Sequence, residues 1–204
     1  SITGQWFKAI SDGRGGFSYF TSTWSTAWNV LIIDLNGDDK SDVFSYNVTT
    51  GAWVRCISLG DGTADFSYTT GTWAPGWRLT PAEWNGDGLA DLFLYSASTG
   101  EGIRATNDGV AGFSYHTETW SPQWVVYPGD YNGDGLTDLF LHNGLTGQWV
   151  VVTNDGSGFI YSTGLWSPDW SVNVGDLDGD GVTDLFLYNP STGSWFECFS
   201  TGHG

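Results

Sequence analysis

Basic residues are scarce in this 204-residue chain: six Lys and Arg stand against 23 Asp and Glu, for a formal charge of −17. With so few cations to neutralise phosphates, the composition argues against nucleic-acid binding. Long apolar runs are missing too. Most apolar residues come in short runs, such as Val43-Phe44, Leu92-Phe93-Leu94 and Leu185-Phe186-Leu187. Nothing approaches the ~20 residues that a membrane helix needs, so no membrane span is expected. No segment sustains a helical period, which argues against helical architecture. Two cysteines, Cys56 and Cys198, make no disulfide framework and are expected as free thiols. Methionine is absent and no signal peptide is visible; a processed secreted chain and a piece cut from a longer protein both fit.

What is present is Gly, aromatic residues at 17%, and acid concentrated in a few places. Of the 23 Asp and Glu, 14 lie in four nine-residue windows of the form Asp-x-Asn/Asp-Gly-Asp-x-x-x-Asp. The windows are residues 34–42, 83–91, 130–138 and 176–184, spaced by 49, 47 and 46 residues. Oxygen-bearing side chains at positions 1, 3, 5 and 9 around a glycine turn suit a hard cation, and the lack of His and Cys points to calcium over zinc. The expected side-chain ligands are Asp34, Asn36, Asp38 and Asp42; Glu83, Asn85, Asp87 and Asp91; Asp130, Asn132, Asp134 and Asp138; and Asp176, Asp178, Asp180 and Asp184. Position 7 would add a backbone carbonyl from Lys40, Leu89, Leu136 or Val182. Four structural Ca2+ ions would bring the charge from −17 to about −9. Asp39 replaces the glycine found at position 6 elsewhere, so the first loop is set apart. The fourth, with four carboxylates, is expected to bind most tightly. An EF-hand is ruled out, because position 12 carries Ser45, Leu94, Leu141 or Leu187 and a strand follows at once.

The loops punctuate a unit of four short strands bounded by Gly, Asn, Asp, Ser and Pro. First strands are expected at 28–34, 77–83, 124–130 and 170–176, and second strands at 43–47, 92–96, 139–143 and 185–189. Third strands follow at 5–10, 52–57, 101–106, 148–153 and 194–199, and fourth strands at 17–21, 66–70, 113–117 and 159–163. Four-stranded antiparallel units at this period indicate an all-β β-propeller forming one domain over 1–204. Its repeats run over 1–27 (partial), 28–73, 77–120, 124–166 and 170–204 (partial). About four blades would close by pairing of N- and C-terminal strands, with 5–10 and 194–199 competing for one place. A larger ring by oligomerisation through the surplus terminal strand is the alternative.

The stretch Asp176 to Leu185, Asp-x-Asp-Gly-Asp-Gly-x-x-Asp-Leu, resembles the FG-GAP or VCBS-type repeat of integrin α-chain propellers, bacterial secreted proteins and Psathyrella-type mushroom lectins. The resemblance covers essentially the whole chain and implies a propeller with structural calcium. The integrin Phe-Gly and Gly-Ala-Pro elements are absent, so adhesion to a protein ligand is not carried over.

Between blades each unit holds a Trp-x-x-x-Trp pair: Trp24/Trp28, Trp73/Trp77, Trp120/Trp124 and Trp166/Trp170. The second Trp shares strand parity with Val30 and Ile32, or Val172 and Val174, and is expected in the core. The first, Trp24, Trp73, Trp120 or Trp166, is either an inter-blade wedge or a platform for a sugar ring. Third-strand Trp6, Trp53, Trp149 and Trp195 alternate with Lys8, Arg55, Val151 and Glu197, which reads as a partly wet face. His116, His142, His203, Glu101, Glu118 and Glu197 break the repeat, yet no spacing unites them, so no enzyme is expected. The leading expectation is a secreted, calcium-stabilised lectin binding glycans weakly at blade junctions. The alternative is a non-catalytic scaffold or protein-adhesion module.

Overall fold

All seventeen expected strands form. The computed structural model describes residues 4–60, 65–110 and 112–202; His203 lies outside them. In chain order the strands are β1 Gln5–Ser11, β2 Phe17–Thr23, β3 Trp28–Ile33, β4 Asp42–Asn47, β5 Ala52–Ser58 and β6 Phe66–Thr72. They continue as β7 Arg78–Ala82, β8 Asp91–Ser96, β9 Glu101–Asn107, β10 Phe113–Thr119, β11 Val125–Gly129 and β12 Asp138–His142. The last five are β13 Gln148–Asn154, β14 Phe159–Leu165, β15 Ser171–Gly175, β16 Asp184–Tyr188 and β17 Trp195–Cys198. No helix occurs among the described residues, and none is long and apolar enough to cross a membrane.

The strands pair in chain order into five sheets: β1-β2, β3-β4-β5-β6, β7-β8-β9-β10, β11-β12-β13-β14 and β15-β16-β17. The three complete sheets each follow the sequence repeat. The competition between 5–10 and 194–199 is decided locally, because β17 lies beside β16 while β1 pairs with β2. Two compact units result: one holds β1 to β6, the other β8 to β17 with most of β7.

Pairing register explains the burial. In the second sheet Phe44 and Tyr46 of β4 stand opposite Arg55 and Trp53 of β5, putting these four side chains on one face. The same positions in the fourth sheet hold Phe140 and His142 opposite Val151 and Trp149. In the second unit this aromatic face packs onto the aliphatic face of the next sheet. Trp84, Phe93 and Tyr95 meet Val126, Leu139, Leu141 and Val152, and Phe140 and Tyr131 meet Val172, Leu185 and Leu187.

The third-strand face is wet in part, with Trp195 and Glu197 exposed and Lys8 half-buried, and dry in part. Arg55 is only 1% exposed, and its Nη2 donates to the Leu35 carbonyl at 2.6 Å. Arg104 lies over the Phe159 ring at 4.2 Å and pairs with Glu118 at 3.3 Å. In the second unit the aromatic face is dry where another sheet covers it, and Arg55 and Arg104 are held by a carbonyl, by rings and by a carboxylate. Fourth-strand glycines make room for the third-strand tryptophans: a Cβ on Gly71 or Gly164 would overlap the ring of Trp53 or Trp149. In the third sheet the exchange reverses. Gly102 replaces the Trp, Glu118 stands opposite it, and Trp120 fills the space. Cys56 and Cys198 are free thiols, and burial pushes the Cys56 thiol up to about 11.

Candidate functional site

The four acidic loops share one internal wiring. The position-1 carboxylate caps the turn: Asp34 accepts the N–H groups of Gly37 and Asp39, Glu83 those of Gly86 and Gly88, Asp130 those of Gly133 and Gly135, and Asp176 those of Gly179 and Gly181. The side chains at positions 3 and 5 accept the N–H groups two residues onward, as Asn132 does from Asp134 and Asp134 from Leu136. These Asx-type bonds aim several oxygens into each loop. Asp39, at φ 60°, adopts the left-handed conformation that glycine supplies in the other loops.

Position 9 does something the sequence pattern conceals. Asp42, Asp91, Asp138 and Asp184 are buried, and each carboxylate joins two segments. One oxygen accepts from the position-2 N–H (Leu35, Trp84, Tyr131, Leu177), the other from an N–H at the end of the third strand (Ser58, Asn107, Asn154, Ser200). Burial pushes the carboxyls of Asp91 and Asp138 up to about 6 even against these bonds, and it raises Asp42 too. A divalent cation beside such a group would favour its ionised form.

The loops differ in how well they would accept a cation. In the fourth, carboxylate oxygens of Asp176, Asp178 and Asp184 lie within 4.8 Å of one another, a grouping that could hold an ion. In the second and third, the amides of Asn85 and Asn132 donate to Asp87 and Asp134 at 2.8 and 2.9 Å. In the first, the Lys40 ammonium sits 2.9 Å from Asp38 and competes directly with a metal. Only the fourth loop offers carboxylates at all four positions.

Sequence reasoning missed the threonines at position 8. Thr183 Oγ1 accepts the Asp130 N–H at 3.1 Å, and the Thr183 N–H donates to the Asp130 carbonyl at 2.6 Å. Thr137 makes the same pair with Glu83 at 2.7 and 2.6 Å. The third and fourth loops are thereby each stitched to the loop before them. A threonine directly before an aspartate is too common a pattern to flag this.

The inter-strand tryptophans are positioned by backbone bonds. Trp24, Trp73, Trp120 and Trp166 donate their N–H groups to the carbonyls of Gly4, Gly51, Gly100 and Gly147 at 2.9–3.0 Å. At these positive-φ glycines a Cβ would overlap the tryptophan carbonyl oxygen, so glycine is required. All four rings are half-buried and packed in their own sheets: Trp24 on Trp6, Trp73 among Phe44, Tyr46 and Trp53, Trp120 on Phe93 and Tyr95, Trp166 among Phe140, His142 and Trp149. Of the second tryptophans Trp77 is buried, whereas Trp28, Trp124 and Trp170 are half-buried.

In the first unit, Trp24, Trp28 and Tyr68 converge with Ser25, Ser45 and Val54 around a cavity of about 240 Å³. Trp28 Nε1 donates to Ser25 Oγ at 2.7 Å, as Trp170 does to Ser167 at 2.9 Å. Ser45 is 1% exposed, and its Oγ has no hydrogen-bond partner. The other sheets carry Leu94, Leu141 and Leu187 at this position, so this cavity alone has a hydroxyl there. Elsewhere the exposed His116 places Nε2 3.0 Å from half-buried Glu118, which also binds Arg104; none of the three lines the groove or the cavity of the first unit.

Four-stranded antiparallel sheets recurring with a Gly-turned acidic loop define an acidic-loop β-propeller repeat protein. The family model described as FG-GAP-like repeat matches residues 83–141 and 130–187, and the chain belongs to that family. No curated protein matches it in sequence. Among solved structures it is similar to an Agrocybe aegerita lectin, whose structure is described as the basis of specific recognition of non-reducing terminal N-acetylglucosamine. The TM-score is 0.66 at 16% identity, with 96% of this chain covered. The chain spans 60% of the length of that lectin. This likeness establishes the β-propeller fold.

Proposed function

We propose that the chain is a secreted, calcium-stabilised carbohydrate-binding module with individually weak sites where adjacent sheets meet. The observation that carries the reading is the cavity at Trp24, Trp28 and Tyr68, with the unpartnered Ser45 hydroxyl in its wall. Aromatic faces offer apolar surface to sugar C–H groups, and a buried unpaired hydroxyl favours a ligand that hydrogen-bonds to it. The glycan-recognising neighbour supports the same class. Trp73, Trp120 and Trp166 would take the corresponding place in other blades.

Calcium would be held first by the fourth loop, through Asp176, Asp178, Asp180 and Asp184 with the Val182 carbonyl. Its role there is structural: it would compensate the carboxylates and stiffen the loop between the inner strands. Loops two and three would take it after reorienting Asn85 and Asn132; the first would have to expel Lys40.

The test is titration with N-acetylglucosamine and a monosaccharide panel, followed by protein NMR with and without EDTA. Expected are shifts of the Trp24, Trp28 and Tyr68 resonances, weakened in Ser45→Leu with unfolding unchanged. A blank panel, with thermal stability still lost in EDTA, would sink the sugar reading and leave the scaffold. If EDTA changes neither stability nor metal content, the calcium assignment falls.

A further inference from the structure

One aliphatic face in the first unit is built like its counterparts but left uncovered. Val30 of β3 occupies the place of Val126 in β11 and Val172 in β15, two residues after the tryptophan. Val126 and Val172 are 7% and 5% exposed, packed under the aromatic faces of the preceding sheets. Val30 is 48% exposed and Ile32 62%. The space beside them is a groove of about 440 Å³, bounded by β1, β3 and the start of β4. In the second unit the corresponding space is filled by a second strand: Phe93 and Tyr95 of β8, or Phe140 of β12. The groove is therefore shaped for one partner type, the inner strand pair of a repeat, carrying Phe and Tyr on one face.

The fifth sheet has such a pair with its aromatic face uncovered. Phe186 and Tyr188 of β16 take the places of Phe93 and Tyr95, which are 2% and 5% exposed, yet Tyr188 is 41% exposed and neighbouring Trp195 58%. The outer strand there is weakly held as well. β17 has four residues and no fourth strand beyond it among the described residues. Its sequence nearly repeats β1: Gly-Ser-Trp-Phe-Glu-Cys-Phe-Ser at 193–200 against Gly-Gln-Trp-Phe-Lys-Ala-Ile-Ser at 4–11. Aligned this way, Ala9 replaces Cys198 opposite Leu185, and Phe7 replaces Phe196 opposite Leu187. β1 also brings β2, so the exchange converts a three-stranded edge into a four-stranded sheet.

We infer that two copies of this chain join head to tail by strand exchange. β15 and β16 of one copy dock in the groove of the other, with Phe186 and Tyr188 against Val30 and Ile32. β1 of the second copy replaces β17 beside β16, leaving one continuous sheet β15-β16-β1-β2 built from two chains. The exchange gives β1 a second partner strand, gives up the β16–β17 pairing, and buries both uncovered apolar faces. The contact is heterologous, so further copies add by the same contact unless the ring closes. The groove shares Trp24, Ser25 and Trp28 with the proposed sugar cavity, so a docked copy and a sugar would compete there.

Size-exclusion chromatography with light scattering tests it on the whole 204-residue chain. The wild type is expected above monomer mass, dissociating on dilution. Ile32→Asp and Tyr188→Asp each alter one exposed side of the contact, and each alone is expected to run as a monomer. An equimolar mixture of the two must reassemble, because each contributes the half the other has lost. In a Cys198→Ala background, chains carrying Ala9→Cys and chains carrying Leu185→Cys should form a mixed disulfide on oxidation. This crosslink does not depend on the aspartate variants folding. A wild type that stays monomeric at the highest concentration overturns the inference, even if Ile32→Asp then lowers stability, since the groove would be filled within one chain. So does assembly by Tyr188→Asp alone, which would mean groove-to-groove contact. Failure of the mixture or of the crosslink overturns it equally.

Discussion

The β-strands Trp28–Ile33 and Val125–Gly129 share the Trp-x-Val start of the repeat, yet one lies open and the other is sealed. In the second unit, the sheets β7–β10, β11–β14 and β15–β17 meet through aromatic rings on aliphatic side chains, and their acidic loops are stitched by Thr137 and Thr183. In the first unit, β3 faces a groove and a cavity instead. The sealed junctions supply stability and leave little to bind. The open one retains apolar surface and a lone hydroxyl, which is where both proposals arise. A repeat protein gains stability from interfaces between like units, and recognition is cheapest where one interface is unfinished.

The sharpest test of that division is deletion of one ring on each side of it. Phe140 is 1% exposed and touches Tyr127, Tyr131, Trp149 and Trp166. Phe140→Ala is expected to cost about 3–5 kcal/mol in urea unfolding, since the cavity it leaves is walled by rings that cannot collapse into it. Phe186→Ala removes the same ring from a sheet whose aromatic face is uncovered, and should cost less than half as much when measured on dilute monomer. Equal costs would mean that the fifth sheet is covered in solution and would remove the contrast.

Much of this was legible in the sequence. Alternation, Gly turns and the 46- to 49-residue spacing placed every strand, because those signals are local and repeated. Burial was less legible, because it depends on whether a second sheet lies over a residue. Arg55 sits on an alternating strand as a wet residue would, yet it is only 1% exposed and its Nη2 donates to the Leu35 carbonyl. Val30 carries the core pattern of Val126 and stays exposed. The acidic loops showed their oxygen pattern but not its division of labour. The position-9 carboxylates brace two backbone segments as well as facing the loop, and that depends on N–H groups 7 residues before and 16 residues after.

A smaller effect sharpens the comparison at the loops. Thr183→Val keeps the shape of the side chain and removes the acceptor of the Asp130 N–H. The expected cost is about 1–2 kcal/mol, the penalty for one unsatisfied, partly buried donor. Hydrogen exchange at Asp130 should quicken by the corresponding factor while amides of the first unit are unchanged. Ser41 holds the same loop position in a unit with no preceding acidic loop, so Ser41→Ala should stay within about 0.5 kcal/mol. A matching loss at Ser41 would show that the stitch is not what holds the loops.

The smallest expected effect uses a titratable group as a gauge of sealing. His142 holds the place of Tyr46, Tyr95 and Tyr188, is buried, and has its ring 5.6 Å from that of Trp166. Burial lowers its pKa from the ordinary 6.5, so the unfolded chain takes up a proton at a pH where the folded chain does not. Stability is therefore full above about 6.5 and falls as the pH drops from there towards the folded-state value. Asp91 and Asp138, raised to about 6, act in the opposite sense over part of the same range, so the informative quantity is a difference. His142→Tyr is expected to flatten the acid side of the stability profile relative to wild type, with little change at pH 8. If both proteins lose stability in parallel below 6.5, water reaches the imidazole, and the β11–β14 sheet is less tightly sealed against the next than the packing of Phe140 and Trp166 implies.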